Sequence, residues 1–296
     1  MARPVPGRAA YPGAVERAYR RLLLRRVETI HGALLERLSK ILDKRQEQID
    51  DIERGDAVDR FLAMRADGST DYARPQARTD ALEDIARELL AVVAVFRRNL
   101  PKPPAKDIEQ IAGRVDEHAT QQIVKRIPTV NVMTSEGARG LYDIFLSENV
   151  DLITSISTDH FDQIEDIVRE GFAKGTQTRT LRKMIEERFN VSRSRAALIA
   201  RDQVSKLNGQ ITMDRQQKLG ISKYVWSTSG DERVRDTHRA NDGKVFAWND
   251  PPATGHPGQD YQCRCVAEPI FDDEDPDEVA GYTRDLAARE KATSAT

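Results

Sequence analysis

The stretch Lys218-Leu219-Gly220-Ile221-Ser222-Lys223-Tyr224-Val225-Trp226-Ser227-Thr228 divides the chain into two kinds of sequence. Gly220 is a helix stop, because a residue without Cβ readily takes the left-handed conformation that closes a last turn. Behind it, Lys223 to Thr228 has the β-branched and aromatic make-up of a strand. Ahead of it, apolar residues recur at three- and four-residue steps through most of the chain, the mark of helices with one buried face. Between 226 and 269 lie both tryptophans, both cysteines and two of the five histidines. The fold expected is mainly α, an elongated helical bundle with a small C-terminal α+β module.

Moving toward the N-terminus, Ser192 is expected to cap a helix with Ala196, Ala197, Ile199, Ala200 and Val204 inward. A shorter helix before it carries Leu181, Ile185 and Phe189, opened by Thr178. From about Ser135 to Phe172 the stripe is Val150, Ile153, Phe161, Ile164, Ile167 and Val168, with a bend or interruption near Gly140 or Ser147. Pro128 to Met133 reads as a break. The helix from about Ala105 to Arg126 turns Ile108, Ile111, Val115, Ala119 and Ile123 inward. Asp80 is expected to cap a helix with Leu82, Ile85, Leu89, Val92, Val93 and Phe96, which Pro101, Pro103 and Pro104 end. A long helix from about Val15 to Arg54 is followed by a loop over 55–79. His31, His118 and His160 lie isolated on helical patterns and read as packing or surface residues. No fixed-period repeat occurs. The expected organisation is a flexible basic arm (1–14), an N-terminal helical region (15–133), a second helical region (134–220), a β/loop His-Cys module (221–271) and an acidic tail with a short helix (272–296).

Composition fits thin helical architecture. Of 296 residues, 39% are hydrophobic, against the usual ~45–50%, and 32% are charged, against the usual ~25%. The 46 basic and 48 acidic residues nearly cancel, so the whole chain is not a polycation that coats nucleic acid. The longest apolar run, Leu89 to Phe96, is far short of the ~20 residues that span a bilayer, so no membrane partner is expected. No apolar signal core follows the N-terminal arginines. Cys263 and Cys265 alone cannot build a disulfide framework, which points to a reducing cytoplasm. From Met1 to Arg26 there are seven arginines against Glu16 alone. Arg3, Arg8, Arg17, Arg20 and Arg21 are candidate contacts for DNA or an acidic protein surface, with a solvated arm as the other reading.

The chemistry is concentrated in the last module. Cys263 and Cys265 stand one residue apart, where ring strain and side-chain direction disfavour a disulfide. Both thiolates can still point at one ion, and His238 and His256 are the only histidines nearby. Two nitrogens and two thiolates make a tetrahedral Zn²⁺ set, although the spacing differs from that of common zinc modules. In the competing reading, His238 and Asp231 hydrogen-bond across a turn and the cysteines pack as small apolar groups. Trp226, Asp231, Arg233, Arg235, Asp242 and Gly243 are the expected structural residues of the loop. Asp242-Gly243 reads as a type I′ hairpin turn. His238, Asn241 and His256 also bear a loose likeness to histidine–asparagine–histidine metal nucleases, in which an ion and a base activate water against phosphate. No Gly-rich phosphate loop and no carboxylate cluster for Mg²⁺ accompanies them.

Taken in order, these residues resemble the Mu F-like minor head proteins of tailed bacteriophages, the head morphogenesis family. The pattern is Trp226, Asp231 with Arg233 and Arg235, His238, Asp242-Gly243, His256-Pro257-Gly258 and Cys263-Arg264-Cys265. The helical lead-in is Leu181, Ile185 and Phe189, then Arg195-Ala196 and Ile199-Ala200-Arg201. The resemblance covers roughly residues 140–270. Asp202, directly after Arg201, departs from the glutamate often found in relatives. The resemblance implies a structural, non-enzymatic virion protein that docks at the portal inside the capsid and assists head assembly and DNA packaging. Its implied partners are the portal protein, the major capsid or scaffold protein and viral DNA, with assembly in the host bacterial cytoplasm. The alternative is a metal-dependent nuclease or nucleotide-acting enzyme that uses the C-terminal His/Cys module.

Overall fold

A computed structural model of the protein describes residues 9–45, 76–126, 138–174, 176, 178–271, 274–275 and 278–281. Among the described residues, five long helices precede the sheet: α1 (Gly13–Lys44), α2 (Gln76–Arg98), α3 (Ala105–Arg126), α4 (Arg139–Ala173) and α5 (Thr178–Lys218). Then come β1 (Lys223–Ser227), a one-turn α6 (Asp236–Arg239), β2 (Val245–Ala247) and β3 (Val266–Ile270). The chain is thus mainly α with a small C-terminal α+β module. The expected extension of the first helix to residue 54, most of the 55–79 loop, the 128–133 break and the tail beyond 281 lie outside the described residues.

The chain divides into two compact units. One holds residues 1–22, 104–152 and 197–296; the other holds 23–103 and 153–196. The second unit is a helical core. Ile30, Leu34, Leu38 and Leu42 of α1 meet Ile85, Leu89 and Val93 of α2, Phe161, Ile164 and Val168 of α4, and Leu181 and Ile185 of α5. Each set repeats at three- or four-residue steps, so one face of every helix leaves water together.

Polar contacts join the helices of the first unit. Asn149 of α4 is fully buried; its Oδ1 accepts from the Tyr19 hydroxyl at 2.5 Å, and its Nδ2 donates to Gln203 Oε1 at 3.0 Å. Asp116 of α3 accepts from Arg215 Nε of α5 at 2.8 Å and from the Tyr142 hydroxyl of α4 at 2.8 Å. Buried charges persist only when paired and hydrogen-bonded in this way.

Several boundaries differ from the sequence reading. α4 runs unbroken because Gly140 falls in its first turn and Ser147 sits between buried positions Phe145 and Asn149. α5 runs through Ser192, which is no cap: its hydroxyl donates to the Arg188 carbonyl at 3.3 Å within the helix and lies 3.1 Å from His160 Nδ1. Local hydrogen bonding of this kind lets serine sit mid-helix. α2 begins at Gln76, ahead of Asp80. Of the basic arm, residues 9–12 are held against the first unit. The Ala9 N–H donates to Glu268, the Ala10 N–H donates to Gln122 Oε1 at 3.1 Å, and His118 Nε2 lies 2.6 Å from the Ala10 carbonyl.

The sheet is antiparallel in the order β2-β1-β3. Tyr224 of the central strand faces Phe246 on one side and Pro269 on the other. Pro269 has no N–H to donate and is accommodated on an edge strand. Tyr224, Trp226, Trp248, Cys263, Cys265 and Ala267 form a small core against which Met213 and Phe246 pack.

Candidate metal centre

β1 places Trp226 at the floor of the site, fully buried, and the turn after it leads to α6, which carries His238. The indole and imidazole meet edge to face, with centroids 5.3 Å apart. The turn at Asp242-Gly243 is not type I′. Gly243 alone is left-handed (φ 73°), whereas both central residues of a type I′ turn need positive φ. Asp242 instead turns its carboxylate back to accept from the Thr228 N–H at 2.8 Å, while the Gly243 N–H donates to the Trp226 carbonyl.

The two cysteines arrive from the other side on the approach to β3. Gln262, just before them, holds a left-handed φ of 54°, and its N–H donates to Asp202 Oδ1 at 2.8 Å. Asp202 therefore anchors the cysteine turn. The His256-Pro257-Gly258 segment lies directly on α5. A Cβ on Gly258 would stand 2.7 Å from the Ser205 carbonyl oxygen and 3.1 Å from Gly209 Cα. Glycine at both contact points lets the two backbones approach.

His238, Cys263 and Cys265 converge, all buried, with their ligand atoms within 4.8 Å of one another. His238 Nδ1 is 3.6 Å from Cys263 Sγ and 3.5 Å from Cys265 Sγ. A tetrahedral ion at ~2.0 Å from nitrogen and ~2.3 Å from sulfur holds such atoms about 3.5 Å apart. The other imidazole nitrogen, Nε2, lies 3.1 Å from Asp260 Oδ2, the carboxylate partner that fixes tautomer and ring direction at metal-bound histidines. The thiols behave as a pair. A hydrogen bond from Cys265, helped by the Gly258 N–H and by His238, draws the Cys263 thiol down against the effect of burial. Cys265 is correspondingly pushed up, first by that shared hydrogen bond and then by burial. The Trp226 indole N–H is buried without a hydrogen-bond acceptor and favours the thiolate form of Cys265. A group with two thiols and one imidazole at these separations can hold a metal ion.

His256 is not brought into this group. Its Nδ1 lies 2.8 Å from the Tyr224 hydroxyl, and its ring packs 4.8 Å from Trp248. The nuclease-like trio does not converge either: His238 faces the thiols, Asn241 Nδ2 donates to Thr254 Oγ1 at 2.9 Å, and His256 faces Tyr224. The expected His238–Asp231 bond is replaced by His238–Asp260. Asp231 instead accepts from the Arg233 N–H at 3.1 Å and pairs with Arg264. Arg235 bridges Asp260 at 3.2 Å and the Tyr261 carbonyl at 2.8 Å. Of the basic candidates, Arg17, Arg20 and Arg21 are on α1 and all three are exposed, and Arg3 and Arg8 lie outside the described residues. The supporting roles of Asp202 and Asp260 are invisible in the sequence, because neither stands at a spacing that marks it as a neighbour of the cluster.

These features define a small α+β module pinned by a His/Cys cluster at the end of long helices. Residues 162–268 match the family model described as Phage Mu protein F like protein, and this stretch contains every residue of the cluster. An uncharacterized protein of Haemophilus influenzae is 42% identical over 125 residues, which is 42% of this chain and 28% of that protein. An uncharacterized protein of Methanocaldococcus jannaschii is 26% identical over 154 residues, 49% of this chain and 23% of that protein. The match thus spans about a quarter of the length of these curated relatives. No solved structure matches the chain. Among the described residues, no helix is long and apolar enough to cross a membrane.

Proposed function

We propose that the protein is a structural minor head protein of a tailed bacteriophage, assembled in the host cytoplasm and docked at the portal inside the capsid. There it assists head assembly and DNA packaging. The observation that carries this reading is the family match over 162–268, which takes in the whole His/Cys centre. The ion is zinc, since paired thiolates with an imidazole suit it, and its role is to staple a module with a thin core. The portal is the principal partner, with the major capsid or scaffold protein and viral DNA as further ones. Arg17, Arg20 and Arg21 all face solvent, and offer the paired donors that phosphate or carboxylate accepts. The divergence of His238, Asn241 and His256 supports a structural rather than a nucleolytic role.

The direct test is the position of the protein in intact particles, by labelling or asymmetric reconstruction. Density at the portal vertex, and loss of packaging or infectivity when the gene is deleted, are expected. Particles without the protein, or protein spread over the capsid exterior, contradict the reading. For the DNA contact, replacing Arg17, Arg20 and Arg21 with alanine should weaken duplex binding and lower the salt slope by roughly one for each phosphate no longer engaged. An unchanged slope removes these arginines from any DNA interface.

A further inference from the structure

A cavity of about 240 Å³ opens beside the His/Cys cluster. It has room for about eight waters at ~30 Å³ each, enough for an oxyanion bearing a substituent. Arg201, Arg233, Arg235 and Arg264 line it, and so do the three metal-binding side chains. Among the described residues, no acidic side chain lines it. The neighbouring carboxylates stand outside the lining and tether the guanidiniums: Glu16 holds Arg201 at 3.4 Å, Asp260 holds Arg235 at 3.2 Å, and Asp231 holds Arg264. Arg233 is largely exposed, and its guanidinium lies 4.0 Å from Glu232, which is also exposed. A guanidinium has five N–H donors, and a carboxylate engages at most two at once. Each arginine therefore keeps donors for a further anion. His238, Cys263 and Cys265 supply three ligands to an ion that prefers four, and all three face this cavity.

We propose that this pocket binds a phosphate-class oxyanion, held by the four arginines and supplying the fourth ligand to the metal on His238, Cys263 and Cys265. The fourth-ligand part rests on the metal reading above; the arginine pocket does not. The cavity suits a phosphate because its arginines come from three separate segments and a tetrahedral oxyanion can accept from several directions at once. Free phosphate and the phosphodiester of a nucleic acid share this chemistry.

Titration calorimetry of the full metal-loaded chain with inorganic phosphate tests the pocket. Saturable binding is expected, weakened about tenfold or more by Arg233→Ala and by Arg235→Ala, and unaffected by Arg114→Ala on the exposed face of α3. No saturable binding, or binding that both pocket variants leave intact, overturns the proposal. Because Arg233 is exposed and holds no buried partner, its variant should keep the fold. Oligothymidylate that displaces phosphate assigns the site to a nucleic-acid backbone; oligothymidylate that does not compete assigns it to a small free anion. In Co²⁺-loaded protein, phosphate should shift the visible d–d bands, and binding without a shift overturns the fourth-ligand part. A chain that carries no metal yet binds phosphate with the same arginine dependence overturns the metal reading and leaves the pocket standing.

Discussion

Asp260 acts on two neighbours with one oxygen: Oδ2 accepts from both His238 Nε2 and Arg235 Nη1. Asp260→Asn should leave the three metal ligands in place and lower metal affinity by about 10–100-fold, as loss of an outer carboxylate does. Competition with a chromophoric chelator measures it; equal affinity would mean that Asp260 serves Arg235 alone. Cys265→Ser should remove the ion altogether, from about one per chain by elemental analysis, and lower the melting temperature. Wild-type protein that is metal-free and melts at the same temperature with and without added zinc contradicts the staple. Gly258 adds a purely steric test. Its φ is 90°, and an alanine methyl there would meet the Ser205 carbonyl oxygen at 2.7 Å. Gly258→Ala should therefore cost about 2 kcal/mol or more in urea unfolding. A change within about ±0.5 kcal/mol would show that the turn can leave α5 without loss.

The helices show how periodicity and tertiary contact share the work. In α1, Val15, Tyr19, Leu23, Val27, Ile30, Leu34, Leu38 and Leu42 are all buried, at steps of four with a single step of three. That stripe is plain in the sequence. The buried Asp116–Arg215 pair is not, because its members are 99 residues apart on α3 and α5. Asp116→Ala takes this carboxylate away from a buried guanidinium and should destabilise the first unit by about 3–5 kcal/mol. Equilibrium urea unfolding checks this, and a loss below about 1 kcal/mol would show that water reaches Arg215. The strand β3 illustrates the opposite difficulty. Val266-Ala267-Glu268-Pro269-Ile270 contains a proline and no alternation, and it becomes a strand because β1 offers it a free edge.

Acid should act on the molecule through its second unit. His31 and His160 stack there, with ring centroids 3.9 Å apart and planes within 4°. Burial, then His160 and the charges of Arg26 and Arg188, hold His31 down at about 3; burial and Arg188 hold His160 at about 4. Their other neighbours, the Ser157 and Ser192 hydroxyls, carry no charge. An unfolded histidine titrates near ~6.5, so below that pH the unfolded chain binds more protons than the folded one. Stability from these histidines is therefore complete above about pH 6.5 and is lost as the pH falls toward their folded values. At pH 5 the loss is about 2 kcal/mol for either histidine. Urea unfolding at pH 7.5 and pH 5 should show it, and His31→Gln with His160→Gln should flatten the difference. An identical pH dependence in the double variant would place the acid sensitivity elsewhere.

The mainly α class, the inward stripes of the helices, the strand at Lys223 and the concentration of chemistry beyond it are all legible in the sequence. Each is written in residues a few positions apart, where one helical turn or one pleat sets the spacing. Other features arise only from the folded chain. His238 joins the cysteines while His256 turns to Tyr224, Asp202 holds the N–H of Gln262, and α4 and α5 run unbroken. His238 and Cys265 are 27 residues apart, and Asp202 and Gln262 are 60 apart. Their meeting depends on the close approach of two glycine backbones and on the burial of one strand. No local pattern encodes those contacts, because they exist only once the whole module has closed.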